Sequence, residues 1–119
     1  IYSLQGLYDQ AIKEYQEALK IEPLSAQIHF YLGKAYAKKS LFDKAIKEYQ
    51  EALRIEPDSA EAHREIASIY LTKIKDGKKA LFHFRQSIKI DPDQRQAETI
   101  KKVIQILASP KDKNQYFSR

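Results

Sequence analysis

The three histidines of this 119-residue sequence are the side chains best suited to chemistry near neutral pH. His29 and His63 lie 34 positions apart, and His83 follows in the C-terminal half. A zinc site would be indicated by two histidines one helical turn apart or by cysteines, and the sequence has neither. It also lacks a glycine-rich phosphate-binding loop. We therefore expect no catalytic residue, no metal site and no cofactor.

Acidic residues also come in pairs at this spacing, as Glu14 and Glu48 illustrate. They belong to two nearly identical segments, LYDQAIKEYQEALKIEP at residues 7–23 and LFDKAIKEYQEALRIEP at residues 41–57. Because the whole segment is copied, repetition explains these carboxylates without general acid–base catalysis. The sequence predicts a protein that is not an enzyme, in which His29 and His63 are packing residues.

Each copied segment is predicted to be an amphipathic helix. In the second copy, apolar residues recur at the spacing that places them on one helix face: Ala45, Ile46, Tyr49, Ala52 and Leu53. Pro57 ends this helix, and Ser59 is suited to cap the next one. The first copy has the same punctuation at Pro23 and Ser25. The pattern indicates helices joined by short turns.

Another helix is predicted between the copies, beginning at Ala26. His29, Leu32 and Tyr36 have the spacing of a face that packs against a neighbouring helix. Gly33 lies within that face, where glycine costs about 1 kcal/mol relative to alanine. We expect a close approach of another helix to offset this cost.

A period of 34 residues, built as helix, turn, helix and proline, resembles the tetratricopeptide repeat family. The second unit matches the family's pattern at Leu32, Gly33, Tyr36, Ala45, Tyr49, Ala52 and Pro57. His29 stands at a position of this unit that usually holds a large aromatic residue. The third unit matches the pattern at His63, Ile66, Ala67, Tyr70, Ala80, Phe84 and Pro92. It departs from the pattern in two ways: Ser87 replaces an alanine, and the turn TKIKDGKK holds one extra residue. The first unit matches at Tyr2, Ala11, Tyr15, Ala18 and Pro23.

The resemblance implies an all-α fold, a right-handed superhelical solenoid of antiparallel helix hairpins. We expect a partial first repeat, mostly its second helix, at residues 1–24, full repeats at 25–58 and 59–93, a capping helix at 94–109 and a flexible tail at 110–119. The opening Ile1 suggests a piece of a longer protein, with residues 1–5 ending an incomplete first helix. Because this leaves an apolar edge open at Ile12, Tyr15 and Leu19, homo-oligomer formation through the N-terminal edge is an alternative function.

Family members hold a peptide in a concave groove lined by the first helix of each hairpin. Carried over by position, this implies a peptide-binding groove lined by Gln27, Phe30, Tyr31, Lys34, Lys38, Glu61, Arg64, Glu65, Ser68 and Thr72, with Gln96 and Thr99 from the capping helix. Adjacent aromatic residues cannot both face one core, so we expect Phe30 or Tyr31 to reach the groove beside Lys34 and Lys38. The alternative is that both rings pack between hairpins. The expected function is a non-catalytic protein–protein interaction scaffold with a protein or peptide partner.

Two better-defined groove chemistries of the family do not fit this sequence. Members that grip the acidic C-terminal tails of chaperones use Lys, Asn and Arg as a carboxylate clamp, and members that bind peptide backbone use a ladder of Asn. Tyr31 and Glu65 stand where Asn or Arg would be needed. Glu65 would also repel an acidic tail.

Charge is distributed unevenly along the chain. Residues 1–72 hold nine Lys and Arg against eleven Asp and Glu, whereas residues 73–119 hold twelve against five. An alternative function is therefore binding of nucleic acid or an anionic surface, with Tyr116 or Phe117 stacking on bases, by a basic patch of Lys73, Lys75, Lys78, Lys79, Lys101 and Lys102. Because exposed Lys more often serves solubility and the patch lacks Arg, the sequence favours a protein partner over nucleic acid.

Composition bears on the compartment. No apolar run approaches the roughly 20 residues that a membrane-spanning helix needs, so we expect no membrane span. The chain has no cysteine, which favours the reducing cytoplasm.

Overall fold

The computed structural model describes residues 4–109, and this part of the chain is helical and contains no β-strand. The predicted all-α class is confirmed. Its helices are α1 (Leu4–Ile21), α2 (Ala26–Lys38), α3 (Phe42–Ile55), α4 (Ala60–Ile69), α5 (Gly77–Ile90) and α6 (Ala97–Ala108), with a π-helical turn at Tyr70–Ile74. The chain divides into two compact units, the first ending at Pro57 and the second beginning at Asp58.

In the first unit, α2 packs against both α1 and α3. The predicted face of α2 is buried at Leu32, Gly33 and Tyr36. A Cβ atom added at Gly33 would lie 2.8 Å from Cε1 of Tyr49 and 3.2 Å from the carbonyl oxygen of Ala45. The expected close approach of a helix to Gly33 is therefore confirmed.

The predicted helix boundaries are also present. The Ser25 hydroxyl accepts a hydrogen bond from the Ile28 N–H at 3.2 Å, and the Ser59 hydroxyl accepts one from the Ala62 N–H at 3.1 Å. Glu56, which precedes Pro57, has extended backbone angles of φ −127° and ψ 93°. Serine capping and the backbone restriction before proline thus end and begin these helices as expected.

Helix α1 repeats the sequence of α3 but not its burial. Tyr49 of α3 is 0% exposed, whereas its copy Tyr15 is half-buried and α1 has no fully buried residue. Leu4 and Gln5 belong to α1, although the sequence predicted them to end a preceding helix. Once a helix is nucleated, each added residue gains a hydrogen bond, and no proline interrupts this segment. The remaining residues predicted as an incomplete helix lie outside the described residues, as does the predicted tail with Tyr116 and Phe117.

In the second unit, α5 packs against α4 on one side and α6 on the other. Its core contains one cluster formed by Ala67, Ala80, Leu81, Phe84, Ile100 and Leu107. Helix α6 contributes the last two of these residues, and its Val103 and Ile104 pack half-buried against the same cluster. The apolar face predicted for a capping helix is therefore the face that α6 packs against the unit.

The π-helical turn accommodates the extra residue of the third repeat. In the first unit, Ser40 adopts φ 61° and the Leu41 N–H bonds to the Tyr36 carbonyl at 2.9 Å. In the second unit, Lys75 adopts φ 67° and the Asp76 N–H bonds to the Tyr70 carbonyl at 2.8 Å. The same closing hydrogen bond thus spans one more residue, and the wider π-helical winding takes it up.

Candidate functional site

A polar and aromatic stripe runs along the outer face of α2. It consists of Gln27, Tyr31, Lys34 and Lys38, which are separated by four, three and four positions and so share one side of the helix. Three of them are exposed, and Lys34 is half-buried. These are predicted groove residues of the second repeat.

Two adjacent aromatic residues of α2 diverge from the backbone. Tyr31 is 42% exposed and stacks on Tyr15 of α1, with ring centroids 6.3 Å apart and planes 19° apart. Phe30 is half-buried and contacts the fully buried Tyr49 at 5.4 Å. The Phe30 and Tyr31 rings meet edge to face, with their centroids 5.6 Å apart. Phe30 therefore links the exposed Tyr31 to the core, and the packing limits the motion of the outer ring.

Lys34 places its ammonium group next to this aromatic cluster. Its Nζ atom lies 5.6 Å from the centre of the Phe30 ring, within range of a cation–π interaction. Neither Lys34 nor Lys38 forms an ion pair with a carboxylate among residues 4–109. The stripe can therefore offer a flat apolar surface and uncompensated positive charge to the same ligand.

The equivalent stripe of α4 has different chemistry. It contains Glu61, Arg64, Glu65 and Ser68 and continues into the π-helical turn with Thr72, and these are the residues predicted for the groove from the third repeat. The guanidinium group of Arg64 donates to Oε1 of Gln94 at 2.8 Å and lies 3.8 Å from the Glu61 carboxylate. The Thr72 hydroxyl donates to the Ser68 carbonyl at 2.8 Å. Several of these groups are thus already engaged within their own unit, and Gln96 and Thr99 are exposed at the start of α6.

Gln94 holds a polar network that the sequence did not predict. Its Nε2 atom shares two N–H groups among three acceptors, the Ser87 hydroxyl at 2.9 Å, the Ser87 carbonyl at 3.1 Å and the Asp91 carbonyl at 2.9 Å, while its Oε1 accepts from Arg64. Ser87 is 0% exposed. A serine in a slot that the repeat gives to alanine was the available signal, because a buried hydroxyl needs a partner.

The three histidines and Glu48 occupy two equivalent pairs of repeat positions. In the first unit, Nδ1 of His29 lies 2.7 Å from Oε1 of Glu48. In the second, Nδ1 of the buried His63 lies 2.9 Å from Nδ1 of His83, so one neutral ring donates and the other accepts. Burial lowers the pKa of His63, and burial together with the neighbouring His63 lowers the pKa of His83 to about 4. His63 is a packing residue as predicted, but its pairing with His83 was missed.

Neither a cluster of metal ligands nor a helix able to cross a membrane is found among the described residues. Among residues 4–109, no group of three or more His, Cys, Asp or Glu side chains converges as a metal site would require. Over the same residues, no helix combines the length and the apolar character needed to cross a bilayer. A shallow surface depression follows α1 and is lined by Asp9, Gln10, Lys13, Glu14 and Glu17, none of which was a predicted site residue.

The predicted basic patch lies on two parts of the second unit. Lys73, Lys75, Lys78 and Lys79 are exposed between the π-helical turn and the first turn of α5, and Lys101 and Lys102 are exposed on α6. Lys79 lies over the Tyr70 ring, with Nζ 5.4 Å from its centre. Lys101 pairs with Glu98 at 3.8 Å. The patch is thus distributed over different elements, and one of its charges is partly compensated.

Comparison with known proteins identifies a family and a fold. The sequence profile of a family described as TPR repeat matches residues 1–40 and 42–73. Among curated proteins, no sequence relative matches significantly.

Solved structures with a similar fold include the first TPR of Spaghetti (RPAP3) bound to the HSP90 peptide SRMEEVD, at 21% identity and a TM-score of 0.75, covering 88% of this chain and 83% of that one. The translocator chaperone SycD of Yersinia enterocolitica type III secretion is 14% identical, with a TM-score of 0.75 and coverage of 86% and 72%. PcrH in complex with the chaperone-binding region of PopD is 18% identical, with a TM-score of 0.78 and coverage of 90% and 83%. At these identities the likeness establishes the fold alone, a helical repeat solenoid.

Proposed function

This chain belongs to the TPR repeat family, and from that premise we propose that it is a non-catalytic scaffold that binds a segment of a partner protein on the exposed face of α2. Two proteins of similar fold were solved with such segments, the HSP90 peptide SRMEEVD in one and the chaperone-binding region of PopD in the other. They support protein binding as the general role. The partner and the contact residues are inferred from the side chains of this chain.

The observation that carries the proposal is the exposed ring of Tyr31. It is held between Tyr15 and Phe30, so a ligand meets a surface that is already ordered. Binding to ordered aromatic anchors avoids much of the entropy cost of fixing side chains on association. An exposed aromatic ring that neighbouring rings hold in place, as Tyr15 and Phe30 hold Tyr31, is therefore suited to bind an apolar side chain of a peptide.

Charge defines the second part of the ligand. Lys34 and Lys38 lie one and two turns from Tyr31 on the same face, and no carboxylate of the described residues pairs with them. The proposed ligand is a segment with an apolar or aromatic anchor followed by an acidic residue, bound with an affinity of about micromolar because its chain must be ordered. The exposed face of α4 is proposed to contact polar groups of a partner.

A chaperone-tail clamp is not proposed, since Tyr31 and Glu65 occupy positions where that clamp requires other residues. The proposed setting is the cytoplasm, because a chain without cysteine does not depend on an oxidising compartment.

The test is a nuclease-treated pull-down from a lysate of the source cell, with the 119-residue chain and a Tyr31→Glu variant. Glu is the residue that the next repeat carries at this position, as Glu65, so the substitution suits a TPR helix. Gln50→Glu is the matched control, because it adds the same charge at an exposed position of α3, and circular dichroism verifies that each variant is folded. Captured proteins are then cut into overlapping peptides whose binding is measured by titration calorimetry.

We expect proteins that the parent chain and Gln50→Glu retain and that Tyr31→Glu loses. Their binding peptides should carry an apolar residue next to an acidic one. Equal capture by the parent and by Tyr31→Glu would show that α2 is not the binding face.

A further inference from the structure

The outer surface of α5 is cationic around one exposed aromatic ring. Five residues of this helix are exposed, and all except Phe82 are basic: Lys78, Lys79, Phe82, Arg85 and Lys89. The helix sequence GKKALFHFRQSIKI contains no acidic residue. None of the four cations forms an ion pair with a carboxylate of residues 4–109. We call these five residues the α5 face.

The repeated architecture does not require this composition. The exposed residues of α3, the equivalent helix of the first unit, are mixed in charge: Asp43, Lys44, Lys47, Gln50 and Arg54. Arg54 is also neutralised by Glu51 at 2.9 Å. Phe82 takes the repeat position of Lys47, where a charged side chain satisfies the fold. An apolar ring at this position is therefore not a requirement of the hairpin itself.

The ring of Phe82 contacts the ring of His83 on one side. The Phe82 ring is 55% exposed, yet one side meets the His83 ring edge to face at 5.0 Å and 87°. His83 in turn stacks on Tyr70 at 6.0 Å, and Lys79 lies over that second ring. Phe82 is consequently the exposed end of a series of three contacting rings, Phe82, His83 and Tyr70, within one unit.

We propose that the α5 face binds single-stranded nucleic acid, with a base stacked on Phe82 and phosphates held by the cations on either side. Lys78 and Lys79 precede the ring and Arg85 and Lys89 follow it, and Lys78 and Lys89 are about 16 Å apart along the helix axis at 1.5 Å per residue. A strand that alternates charged phosphates with flat bases matches this order of cation, ring and cation. The inference is independent of the α2 face.

Other anionic partners match the α5 face less well. Membrane attachment requires several exposed apolar side chains, and the α5 face has one. A peptide of the kind proposed for α2, with one acidic residue beside its apolar anchor, would leave most of the four cations unpaired, whereas a nucleic-acid strand carries a phosphate at every nucleotide. The sequence alone favoured a protein partner because the predicted basic patch lacked Arg. The α5 face shares only Lys78 and Lys79 with that patch and adds Arg85.

The experiment is fluorescence anisotropy of a labelled oligothymidylate of about 12 nucleotides, titrated with the whole chain at about 50 mM and then about 200 mM salt. Phe82→Ala should weaken binding by about 5- to 140-fold, the range for losing one stacked base, while Phe82→Tyr retains it. Arg85→Gln with Lys89→Gln should weaken binding and flatten the slope of log affinity against log salt by about 1.4, since each phosphate contact contributes about 0.7.

The matched control is Lys44→Gln with Lys47→Gln, which removes the same charge from exposed positions of α3. This control should leave the affinity almost unchanged. Three results would overturn the proposal: an affinity that does not depend on Phe82, an equal loss in the α3 control, or competition by polyglutamate as effective as competition by unlabelled oligonucleotide. Binding to phosphatidylserine vesicles without binding to the oligonucleotide would also overturn it and assign the α5 face to a membrane surface.

Discussion

His63 and His83 place their Nδ1 atoms 2.9 Å apart at the two repeat positions where the first unit joins His29 to Glu48 at 2.7 Å. One unit therefore pairs an imidazole with a carboxylate, and the other pairs two imidazoles. A neutral imidazole pair forms one hydrogen bond, in which one ring donates and the other accepts. Protonation of both rings would remove the acceptor and bring two positive charges together.

Stability should fall on acidification through this pair. The unfolded chain has a histidine pKa of about 6.5, and folding lowers the pKa of His83 to about 4 and lowers that of His63. Between these values the unfolded state binds more protons, so the stabilisation present above pH 6.5 is progressively lost as pH falls toward 4. We expect a loss of about 1–2 kcal/mol, allowing for solvent that reaches the rings. Urea unfolding monitored by circular dichroism at pH 7.5 and at pH 5 measures it. His83→Asn should show a smaller loss, because its amide cannot be protonated in this range.

Replacing His83 with Glu should convert the His63–His83 pair into an imidazole–carboxylate pair like that of His29 and Glu48. The carboxylate would favour the protonated form of His63, so we expect the pKa of His63 to rise above that of the parent protein. An NMR titration of the His63 ring protons measures this change directly. The variant should also lose less stability than the parent between pH 7 and pH 5. A His63 pKa that remains low in His83→Glu would mean that desolvation outweighs the new charge.

Gly33→Ala should destabilise the protein although alanine is the better helix former. The added Cβ would lie 2.8 Å from Cε1 and 2.9 Å from Cδ1 of Tyr49, and this ring is fully buried and cannot swing into solvent. We expect overpacking to outweigh the gain of about 1 kcal/mol in helix propensity and leave a net loss of about 1–3 kcal/mol. A double-mutant cycle with Tyr49→Leu checks the cause, since the cost of Gly33→Ala should fall when the ring is absent. An unchanged cost in that background would point to the Ala45 carbonyl instead.

The same substitution at two copied positions should have unequal effects. Tyr49→Ala empties a site with 0% exposure and is expected to cost about 3–5 kcal/mol. Tyr15→Ala removes the equivalent ring from the half-buried face of α1 and should cost less than about half as much. Chemical denaturation of both variants under one condition gives the comparison. Similar losses would indicate that the α1 face is covered in solution, as self-association would predict, and light scattering would then reveal it.

Replacing Gln94 with alanine should destabilise the protein more than replacing Ser87, which it contacts. Gln94→Ala leaves the buried Ser87 hydroxyl without this donor and releases Arg64, so we expect a loss of about 1–2 kcal/mol. Ser87→Ala removes the hydroxyl but leaves Gln94 bonded to the Ser87 and Asp91 carbonyls, and alanine favours the helix. That variant should lie within about 0.5 kcal/mol of the parent. Thermal unfolding of the two single variants separates the cases, and equal losses would contradict the central role of Gln94.

The sequence was sufficient to predict features that depend on residues near one another in the chain. The caps at Ser25 and Ser59 and the buried face of α2 follow from spacing and local backbone chemistry. Gly33 was identified because a costly residue at a packed position implies a close neighbour. These predictions required only the helical period and the cost of an unusual residue.

Features that join different helices were harder to predict. His29 and His63 occupy the same position in successive repeats, so the sequence indicates that they are equivalent. The contact that His63 makes is with His83 of the adjacent helix, which the repeat spacing does not indicate. Gln94 lies in a connection whose backbone path no periodicity specifies, so its contacts with Arg64 were not foreseeable. The exposure of Phe82 was available from its alignment with Lys47, but an aromatic residue on an amphipathic helix is ordinarily assigned to the core.

The turn between α4 and α5 shows where this chain tolerates a change of length. The Asp76 N–H closes on the Tyr70 carbonyl as the Leu41 N–H closes on the Tyr36 carbonyl, although one residue more lies between them. Asp76 also caps α5 by accepting from the Lys79 N–H at 3.1 Å, so the start of that helix is fixed independently of the turn. For protein engineering, the exposed segment before Asp76 is a permissive insertion point, where a fluorescent label or an affinity tag can be added without changing the alignment of α5 with its neighbours.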